Sequence, residues 1–248
     1  AYGGELLFFP KAALGLIEAA RAVLATTLPP RESLAGLENS AFLQHLERSR
    51  RVLADDKRVL RALRALVATL HGLEETVFDP PRLRVILPRG HHLAAAAPVY
   101  FAHRDTWYAN PRCQLNWWTP FHRVETHQTF VFYPEAFETP VPNDSQRFDY
   151  ERWRTEVGFA NSNPVPEAVY PRALGSLAQL QRKGVEADAG DLLVFSAAHL
   201  HQTLPLEDGP PRLSIDFRTV YYPDHQAGRG APDPDNHSRG STLGEYLK

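Results

Sequence analysis

The spacing of apolar residues divides the chain near residue 80. Before that point apolar residues recur at helical intervals, and one face of a first predicted helix carries Leu14, Ile17, Ala20, Val23 and Leu24. Pro29-Pro30 closes this helix. A second helical region covers roughly residues 33–73, where an apolar stripe from Val52 to Leu70 lies opposite a row of Arg and Lys side chains. We therefore expect residues 1–79 to form a helical support.

After Pro80 the pattern alternates with a period of two, which is typical of strands. Strands are predicted at residues 82–87, 99–108, 114–119, 129–133, 192–195 and 212–220. The third and fourth of these are close enough along the chain to pair as a hairpin. In the last strand one face is apolar, and the other carries Arg212, Ser214, Asp216 and Arg218. A polar face of this length indicates contact with solvent or the interior of a ligand-holding barrel.

Two segments lack a regular pattern. Residues 138–185 contain several prolines, which exclude long regular elements, and we interpret them as a partly ordered insertion that covers a site. Residues 221–248 are rich in Gly, Pro and Asp, which predicts a flexible tail. The whole chain, residues 1–248, is interpreted as a single domain whose core lies at residues 80–220.

Composition narrows the class of protein. With 248 residues, 43% hydrophobic and 23% charged, the chain is typical of one globular domain. A net charge of -2 argues against nucleic acid or a membrane surface as partner. The partner that we expect is a small-molecule substrate. The single Cys113 allows no intramolecular disulfide, and no apolar run reaches the roughly 18 residues of a membrane helix, so we expect a cytoplasmic protein. The sequence leaves the oligomeric state open.

The most informative polar residues lie within the run 99–108. His103 and Asp105 are two positions apart, so on an extended chain both side chains project to the same face. An imidazole and a carboxylate on one face supply two of the three ligands of a 2-His-1-carboxylate site for Fe(II). The third ligand has to come from another strand. Either His199 or His201 can supply it, because the two share a face if their segment is extended.

The remaining histidines are weaker candidates. His91 and His92 follow Gly90 in a predicted loop. Neighbouring side chains point to opposite faces of an extended chain, so we do not expect these two to share a metal ion. His225 and His237 lie in the tail and are expected to be solvated.

In the order and spacing of these residues the chain resembles the non-haem Fe(II)/2-oxoglutarate-dependent dioxygenase superfamily, and within it the phytanoyl-CoA dioxygenase-like branch. The resemblance covers roughly residues 82–220. It rests on His103-x-Asp105, Gly190-Asp191 followed by Leu-Leu-Val-Phe, His201, and Arg212-x-Ser214. It implies a mainly β fold with flanking α-helices, built on a double-stranded β-helix, which is a jelly-roll, cupin-like core.

The resemblance also implies roles for individual residues. The catalytic metal ligands for Fe(II) would be His103, Asp105 and His201. Arg212 and Ser214 would bind the far carboxylate of 2-oxoglutarate, and an arginine fork suits such a carboxylate. The implied reaction consumes O2 and 2-oxoglutarate, releases succinate and CO2, and hydroxylates or otherwise oxidises a C–H bond of the substrate.

The substrate is expected to be small and polar, either amino-acid-like or a secondary metabolite. Asp105 argues against a halogenase, because halogenases of this family replace the carboxylate ligand with a small residue. Epoxidation, desaturation and ring formation keep all three ligands and stay open. A cupin-like protein that binds a metal or a ligand without turnover is a further alternative.

Position along the strands predicts further contacts. Candidates for contact with the cosubstrate are Gln114, Asn116 and Thr129. Candidates for contact with the substrate are Trp107, Tyr108, Trp118, Arg123 and Arg218, together with His127 and Trp153. Arg104 lies between two ligands and is expected to face away from the metal. The run 129–137 lacks the Gly-rich turn usual in the family, so the substrate does not follow from the family name.

Overall fold

The computed structural model describes residues 1–72, 74–157 and 170–247. In these ranges the strands assemble into two antiparallel sheets. In chain order they are β1 (Leu7–Phe9), β2 (Thr76–Phe78), β3 (Arg82–Ile86), β4 (Gln114–Pro120), β5 (Phe130–Phe132), β6 (Lys183–Gly184), β7 (Leu192–Ser196), β8 (His201–Thr203) and β9 (Arg212–Tyr221). The larger sheet has the order β1-β7-β4-β9-β2, with β3 also paired to β9, and the smaller sheet has the order β6-β5-β8.

The predicted hairpin between residues 114–119 and 129–133 is wrong. β4 pairs with β7 and β9 in the larger sheet, whereas β5 pairs with β6 and β8 in the smaller one. Both strands are buried along their whole length, so neither shows the half-buried alternation that specifies a partner and a register. The two aromatic runs therefore belong to different sheets.

The helices α1 (Leu14–Leu24), α2 (Asn39–Asp55) and α3 (Lys57–Leu70) pack on the larger sheet and share its main hydrophobic core. The predicted helical region 33–73 is interrupted at Asp56. The Asp56 side chain accepts hydrogen bonds from the backbone N–H groups of Arg58 and Val59 and so caps α3. Among the described residues, none of the helices combines the length and the apolar character needed to cross a bilayer.

Alternation along β9 separates two environments. On the helix side the strand contributes to the main core with Leu213, Ile215 and Phe217. On the opposite side it lines a cavity with Arg212, Asp216 and Arg218. Across this cavity, Trp118 of β4 packs with Phe130 and Phe132 of β5, so side chains of the two sheets meet in a second apolar cluster. The polar face of β9 is therefore internal.

Residues 99–108 do not form the predicted strand. Ala94–Tyr100 and Asp105–Tyr108 are short 3-10 helices, and between them His103 forms an isolated antiparallel bridge with His201. Pro98 lies inside the first of these helices. Because proline has no N–H to give to a neighbouring strand, it disfavours a continuous ladder through this segment.

The insertion at residues 138–185 contains the short helix α4 (Tyr150–Glu156) and strand β6. Its residues 158–169 lie outside the described part of the chain. Near its ends Asn143 forms an isolated bridge with Ala173, which closes the base of the excursion. The insertion is therefore held both by this bridge between its own residues and by the pairing of β6 with β5.

The tail at residues 221–248 was expected to be flexible, but its described residues are packed. The helix α5 (Tyr222–Gln226) follows β9 directly, and Leu247 pairs with Phe78 of β2. Asp235 in the middle of the tail is only 4% exposed. The tail is held by buried polar contacts, which a composition rich in Gly, Pro and Asp does not reveal.

Candidate metal and cosubstrate site

Two histidines that are far apart in the sequence stand opposite each other in the fold. The backbone N–H of His103 donates to the carbonyl of His201 at 2.9 Å, and the reverse hydrogen bond measures 3.0 Å. This pairing holds the centroids of the two imidazole rings 4.5 Å apart. Asp105 begins the next 3-10 helix and turns its carboxylate to the same place. Ligand atoms of all three residues lie within 4.8 Å of one another.

Backbone carbonyls orient both imidazoles. Nδ1 of His103 lies 2.8 Å from the carbonyl of Phe101, and Nδ1 of His201 lies 3.0 Å from the carbonyl of His199. A carbonyl only accepts hydrogen bonds, so we assign the proton to Nδ1 in both rings. Each Nε2 is then left with its lone pair for a metal ion, in the way that outer hydrogen bonds commonly fix histidine ligands.

The charges of this cluster suit a divalent cation. Nε2 of His103 lies 3.3 Å from Oδ1 of Asp105, and two such acceptor atoms repel each other unless a proton or a cation bridges them. Burial lowers the pKa of His201 to about 4, so this imidazole is neutral at pH 7. Burial alone would raise the pKa of Asp105, but the nearby positive charge of Arg218 helps to hold that pKa well below its usual range. One carboxylate and two imidazoles form the donor set of a non-haem Fe(II) site, which these residues fit.

The alternative ligand His199 lies elsewhere. Its ring is buried, with Nε2 3.0 Å from the carbonyl of Gly4 and Nδ1 3.2 Å from that of Ser196. The segment bends after β7, so His199 and His201 do not share a face. The structure therefore brings His201, and not His199, to His103 and Asp105.

Buried polar atoms without partners among the described residues lie further along β9. Nη1 of Arg212 donates to the carbonyl of Gln128 at 3.3 Å, whereas its buried Nε finds no partner among the described residues. The buried Oγ of Ser214, on the same face of the strand, likewise has no partner in the described part of the chain. Burial lowers the pKa of Arg212 to about 10, which still leaves a cation at pH 7. Buried polar groups without partners are unfavourable, and an external carboxylate would satisfy both of them.

A cavity of about 320 Å³ connects the histidine cluster with Arg212 and is lined by both sheets. This volume lies at the lower end of the range of about 300–1,000 Å³ that is common for small-molecule pockets. Other charged side chains in the wall are paired with each other. Arg84 donates to both oxygens of Asp216 at 2.7 and 3.1 Å, and Arg218 donates to Asp79 at 2.8 Å.

Aromatic side chains form the wall on the metal side of the cavity. The ring of Tyr108 packs edge-on against His103 with centroids 5.3 Å apart, and Phe148 packs against Tyr108 at 5.5 Å. The ring centroid of Trp153 lies 6.2 Å from that of Phe148, and Tyr150 also lines this part of the cavity. Part of the insertion at residues 138–185 thus lines the cavity, and its described aromatic residues would meet a bound substrate.

Several predicted contact residues do lie in the cavity wall. These are Tyr108, Asn116, Trp118, Trp153, Arg212 and Arg218. The geometry places them within reach of a bound molecule, and their roles stay predictions. As expected, Arg104 faces away from the cluster, with its guanidinium buried against Asp235 and the carbonyl of Ala198.

Two predicted cosubstrate contacts, Gln114 and Thr129, lie outside the cavity wall. The amide of Gln114 is occupied at both ends, since its Nε2 donates to Asn116 and its Oε1 accepts from Tyr246. The hydroxyl of Thr129 donates to the carbonyl of Val185 at 2.9 Å, away from the cavity. Both side chains complete the fold around the site and neither points into it.

Three predicted substrate contacts, Trp107, Arg123 and His127, also lie outside the cavity wall. Trp107 is fully buried behind the cluster, where its Nε1 donates to Asp235 at 2.8 Å. Arg123 is exposed and pairs with Asp188 at 3.3 Å. His127 is exposed beside Glu125. Trp107 departs from its expected position because Asp105–Tyr108 is a 3-10 helix, which breaks the strand alternation predicted for this segment.

Sequence reasoning missed other residues of the wall. Arg84 could have been found from the alternation along β3, which places it on the same side as Arg82. Phe148 and Tyr150 lie in the irregular insertion, and Tyr246 lies in the tail, where periodicity gives no signal. Their place in the cavity depends on contacts over long sequence separations.

A second histidine cluster lies outside the cavity. His91, His92 and Glu207 have ligand atoms within 4.8 Å of one another. The expectation that the two neighbouring histidines point apart is wrong, because Gly90–His92 is a 3-10 helix and not an extended segment. The rings of His91 and His92 lie 4.0 Å apart. His92 and Glu207 are exposed, in contrast to the enclosed triad.

Sequence comparisons find no family model that matches the chain and no curated protein that is significantly similar to it. Similar solved structures include the non-heme monooxygenase ThoJ, with 16% identity over 87% of this chain and 73% of that one and a TM-score of 0.49. The epimerase SnoN, in complex with Fe3+, alpha ketoglutarate and nogalamycin RO, shows 17% identity over 97% and 92% of the two chains and a TM-score of 0.46. EvdO2 from Micromonospora carbonacea var. aurantiaca shows 14% identity over 87% and 86% and a TM-score of 0.45. Because these TM-scores lie below 0.5, we take the function from the site and the sequence motifs alone.

Proposed function

We propose that this protein is an Fe(II)- and 2-oxoglutarate-dependent oxygenase that hydroxylates, or otherwise oxidises, a C–H bond of a small molecule. The observation that carries the proposal is the convergence of His103, Asp105 and His201 on one point of a cavity. The same cavity contains the buried Arg212, whose Nε has no partner among the described residues. The two antiparallel sheets that enclose this cavity support a double-stranded β-helix core.

In this proposal the three side chains hold Fe(II) on one side and leave positions open for 2-oxoglutarate and O2. Bound Fe(II) supplies the redox chemistry that couples decarboxylation of 2-oxoglutarate to oxidation of the substrate. For hydroxylation the balance is substrate C–H plus 2-oxoglutarate plus O2, giving substrate C–OH, succinate and CO2. The backbone carbonyls of Phe101 and His199 keep each Nδ1 protonated, so each Nε2 stays available as a ligand.

Arg212 and Ser214 would orient the cosubstrate. The Arg212 fork can bind the distal carboxylate in two-point fashion, and the Ser214 hydroxyl can donate to the same group. Both groups lie on β9, a central strand, so they are held rigidly at a fixed distance from the metal ligands. This would direct the 2-oxo acid end of the cosubstrate to the metal.

The substrate would occupy the aromatic side of the cavity, next to His103. The wall there consists of Tyr108, Phe148, Tyr150 and Trp153. Because Arg84, Asp216 and Arg218 are already engaged in ion pairs, the wall favours a substrate part that is uncharged there and has flat apolar surface.

The test is formation of succinate from 2-oxoglutarate by the purified protein with Fe(II) and O2. We expect succinate with the wild type and none above background with His103→Ala or Asp105→Ala. His91→Ala, in the second histidine cluster, is the matched control and should form succinate like the wild type. Equal succinate from wild type and His103→Ala, or metal binding without any succinate over a panel of candidate substrates, would refute the proposal.

A further inference from the structure

A chain of buried hydrogen bonds connects Asp105 with the C-terminal segment. Nδ2 of Asn116 donates to Oδ2 of Asp105 at 2.8 Å, and Nε2 of Gln114 donates to Oδ1 of Asn116 at 2.8 Å. At the far end the hydroxyl of Tyr246 donates to Oε1 of Gln114 at 2.5 Å. Three side-chain hydrogen bonds thus connect Tyr246 with Asp105, a proposed metal ligand that lies 141 positions earlier in the sequence.

The donor and acceptor groups of these residues fix the direction of each hydrogen bond in the series. The carboxylate of Asp105 is ionised and only accepts, so Asn116 must turn its NH2 group towards it. The amide oxygen of Asn116 then faces Gln114, which must turn its own NH2 group to Asn116. The amide oxygen of Gln114 is left for Tyr246, which has to donate. The hydroxyl of Tyr246 is therefore the donor that completes the chain.

Because these side chains are buried, the loss of any one of the hydrogen bonds would leave a polar group without a partner. Gln114 is fully buried and Asn116 is 5% exposed, so water does not readily replace a lost partner. Burial also raises the pKa of Tyr246 well above its usual value, which keeps the hydroxyl protonated and able to donate. Without that hydroxyl, Oε1 of Gln114 would be a buried acceptor with no donor, and the two amides would lose their fixed orientation.

The tail holds Tyr246 in place. The next residue, Leu247, exchanges backbone hydrogen bonds of 2.7 and 3.1 Å with Phe78 of β2. On the other side Glu245 accepts from the hydroxyl of Tyr150 at 2.6 Å. The side chain of Tyr246 also lines the cavity. The C-terminal segment is thus docked on the larger sheet with this tyrosine directed inward.

We propose that Tyr246 is a positioning residue of the metal site, which acts through Gln114 and Asn116 to fix the carboxylate of Asp105. The inference rests on the proposed function, because it needs Asp105 to be a metal ligand. Asn116 holds Oδ2, and this leaves Oδ1, on the side of His103, for the metal. Loss of the tyrosine hydroxyl would let the carboxylate rotate and would weaken the metal site without removing any ligand.

The test is the affinity for Co(II), used as a probe in the absence of O2 and substrate, followed by calorimetry and by the visible spectrum of the bound ion. We expect Tyr246→Phe to bind Co(II) about tenfold more weakly than the wild type, at the lower end of the effects of outer hydrogen-bond partners, and with an altered spectrum. Tyr2→Phe is the matched control. Its hydroxyl is also partly buried, but it bonds to Asp224 and to the carbonyl of Cys113, so Co(II) affinity should not change.

A second pair of variants separates positioning from a general loss of packing. If Tyr246 acts through Gln114, the double variant Tyr246→Phe/Gln114→Leu should bind Co(II) as Gln114→Leu alone does, within about twofold. Additive losses, or wild-type affinity and spectrum in Tyr246→Phe, would overturn the inference. His103→Ala distinguishes this from failure of the proposed function: if it binds Co(II) as well as the wild type, the metal site itself is wrong.

Discussion

Arg104 and Asp235, which lie 131 positions apart in the chain, form a buried ion pair in which Nε of Arg104 is 3.2 Å from Oδ2 of Asp235. The same carboxylate accepts from Nε1 of Trp107 and from the backbone N–H of Val141, each at 2.8 Å. Arg104 lies between the two proposed metal ligands of its segment. The tail therefore anchors this segment from behind, on the side away from the cavity.

Asp235→Ala should destabilise the protein strongly. The substitution leaves the fully buried guanidinium of Arg104 without its counter-charge, and breaking a buried pair in this way typically costs about 3–5 kcal/mol. Urea unfolding measures the change in the free energy of unfolding. The exposed Asp208→Ala is the control and should change it by less than about 0.5 kcal/mol. Similar stabilities for the two variants would contradict the anchoring role of the tail.

Arg212→Lys should raise the KM for 2-oxoglutarate more than it lowers kcat. A lysine keeps the positive charge but loses the planar fork, and charged hydrogen bonds of about 1.5–3 kcal/mol correspond to roughly 10- to 100-fold in binding. Steady-state kinetics of succinate formation measure both constants. Arg123→Lys, at an exposed arginine outside the cavity, should leave them unchanged. An unchanged KM in Arg212→Lys would show that the carboxylate binds elsewhere.

Gly190→Ala should destabilise the turn before β7. Gly190 has a φ of +79°, and an added Cβ would lie 2.6 Å from Cδ2 and 3.2 Å from Cα of Leu14. Strain and overpacking together should cost about 2–4 kcal/mol. Gly209 has a similar φ of +81°, but an added Cβ there would contact no described atom within 4 Å. Gly209→Ala therefore measures the backbone strain alone, which should lower the free energy of unfolding by about 1–2 kcal/mol. Equal losses in thermal or urea unfolding would mean that the contact with α1 adds nothing.

His122 should make the protein less stable below about pH 6.5. Its Nε2 accepts from the backbone N–H of Leu213 at 3.1 Å, and burial lowers the pKa of the imidazole. Since the unfolded chain, with a histidine pKa of about 6.5, then binds more protons than the folded one, stability is present above that pH and falls as the pH drops below it.

The measurement is urea unfolding of His122→Gln at pH 7.5 and at pH 5.5. The glutamine carbonyl can still accept from Leu213, so we expect a smaller loss of stability on acidification than in the wild type. His127→Gln, at an exposed histidine, should lose as much as the wild type does. A loss in His122→Gln that matches the wild type would exclude this histidine as the source.

The convergence of His103, Asp105 and His201 was predictable from the sequence, because the motif on which the resemblance rests has a characteristic order and spacing. The role of Arg212 stays a prediction. His103 and Asp105 are two positions apart in the chain, and Arg212 lies in the predicted strand that becomes β9. The choice between His199 and His201 needed the structure, since it depends on a bend after β7 that apolar periodicity does not reveal.

The errors share a physical cause. Trp107 was assigned to the substrate on the assumption of an extended chain, and Gln114 to the cosubstrate without knowledge of Tyr246. The tail was interpreted as flexible from its composition, although Asp235 and Leu247 fix it through single specific contacts. Buried polar pairs over more than 100 residues of separation leave no local pattern in a sequence.

The central claim is that His103, Asp105 and His201 hold one metal ion beside a 2-oxo acid anchored on Arg212. It is tested most directly by crystals grown without O2, with Mn(II) in place of Fe(II) and with 2-oxoglutarate. We predict an anomalous peak within bonding distance of Nε2 of His103, a carboxylate oxygen of Asp105 and Nε2 of His201, with the distal carboxylate of 2-oxoglutarate on Arg212. A peak only at the exposed cluster of His91, His92 and Glu207, or a cosubstrate carboxylate bound away from Arg212, would contradict it.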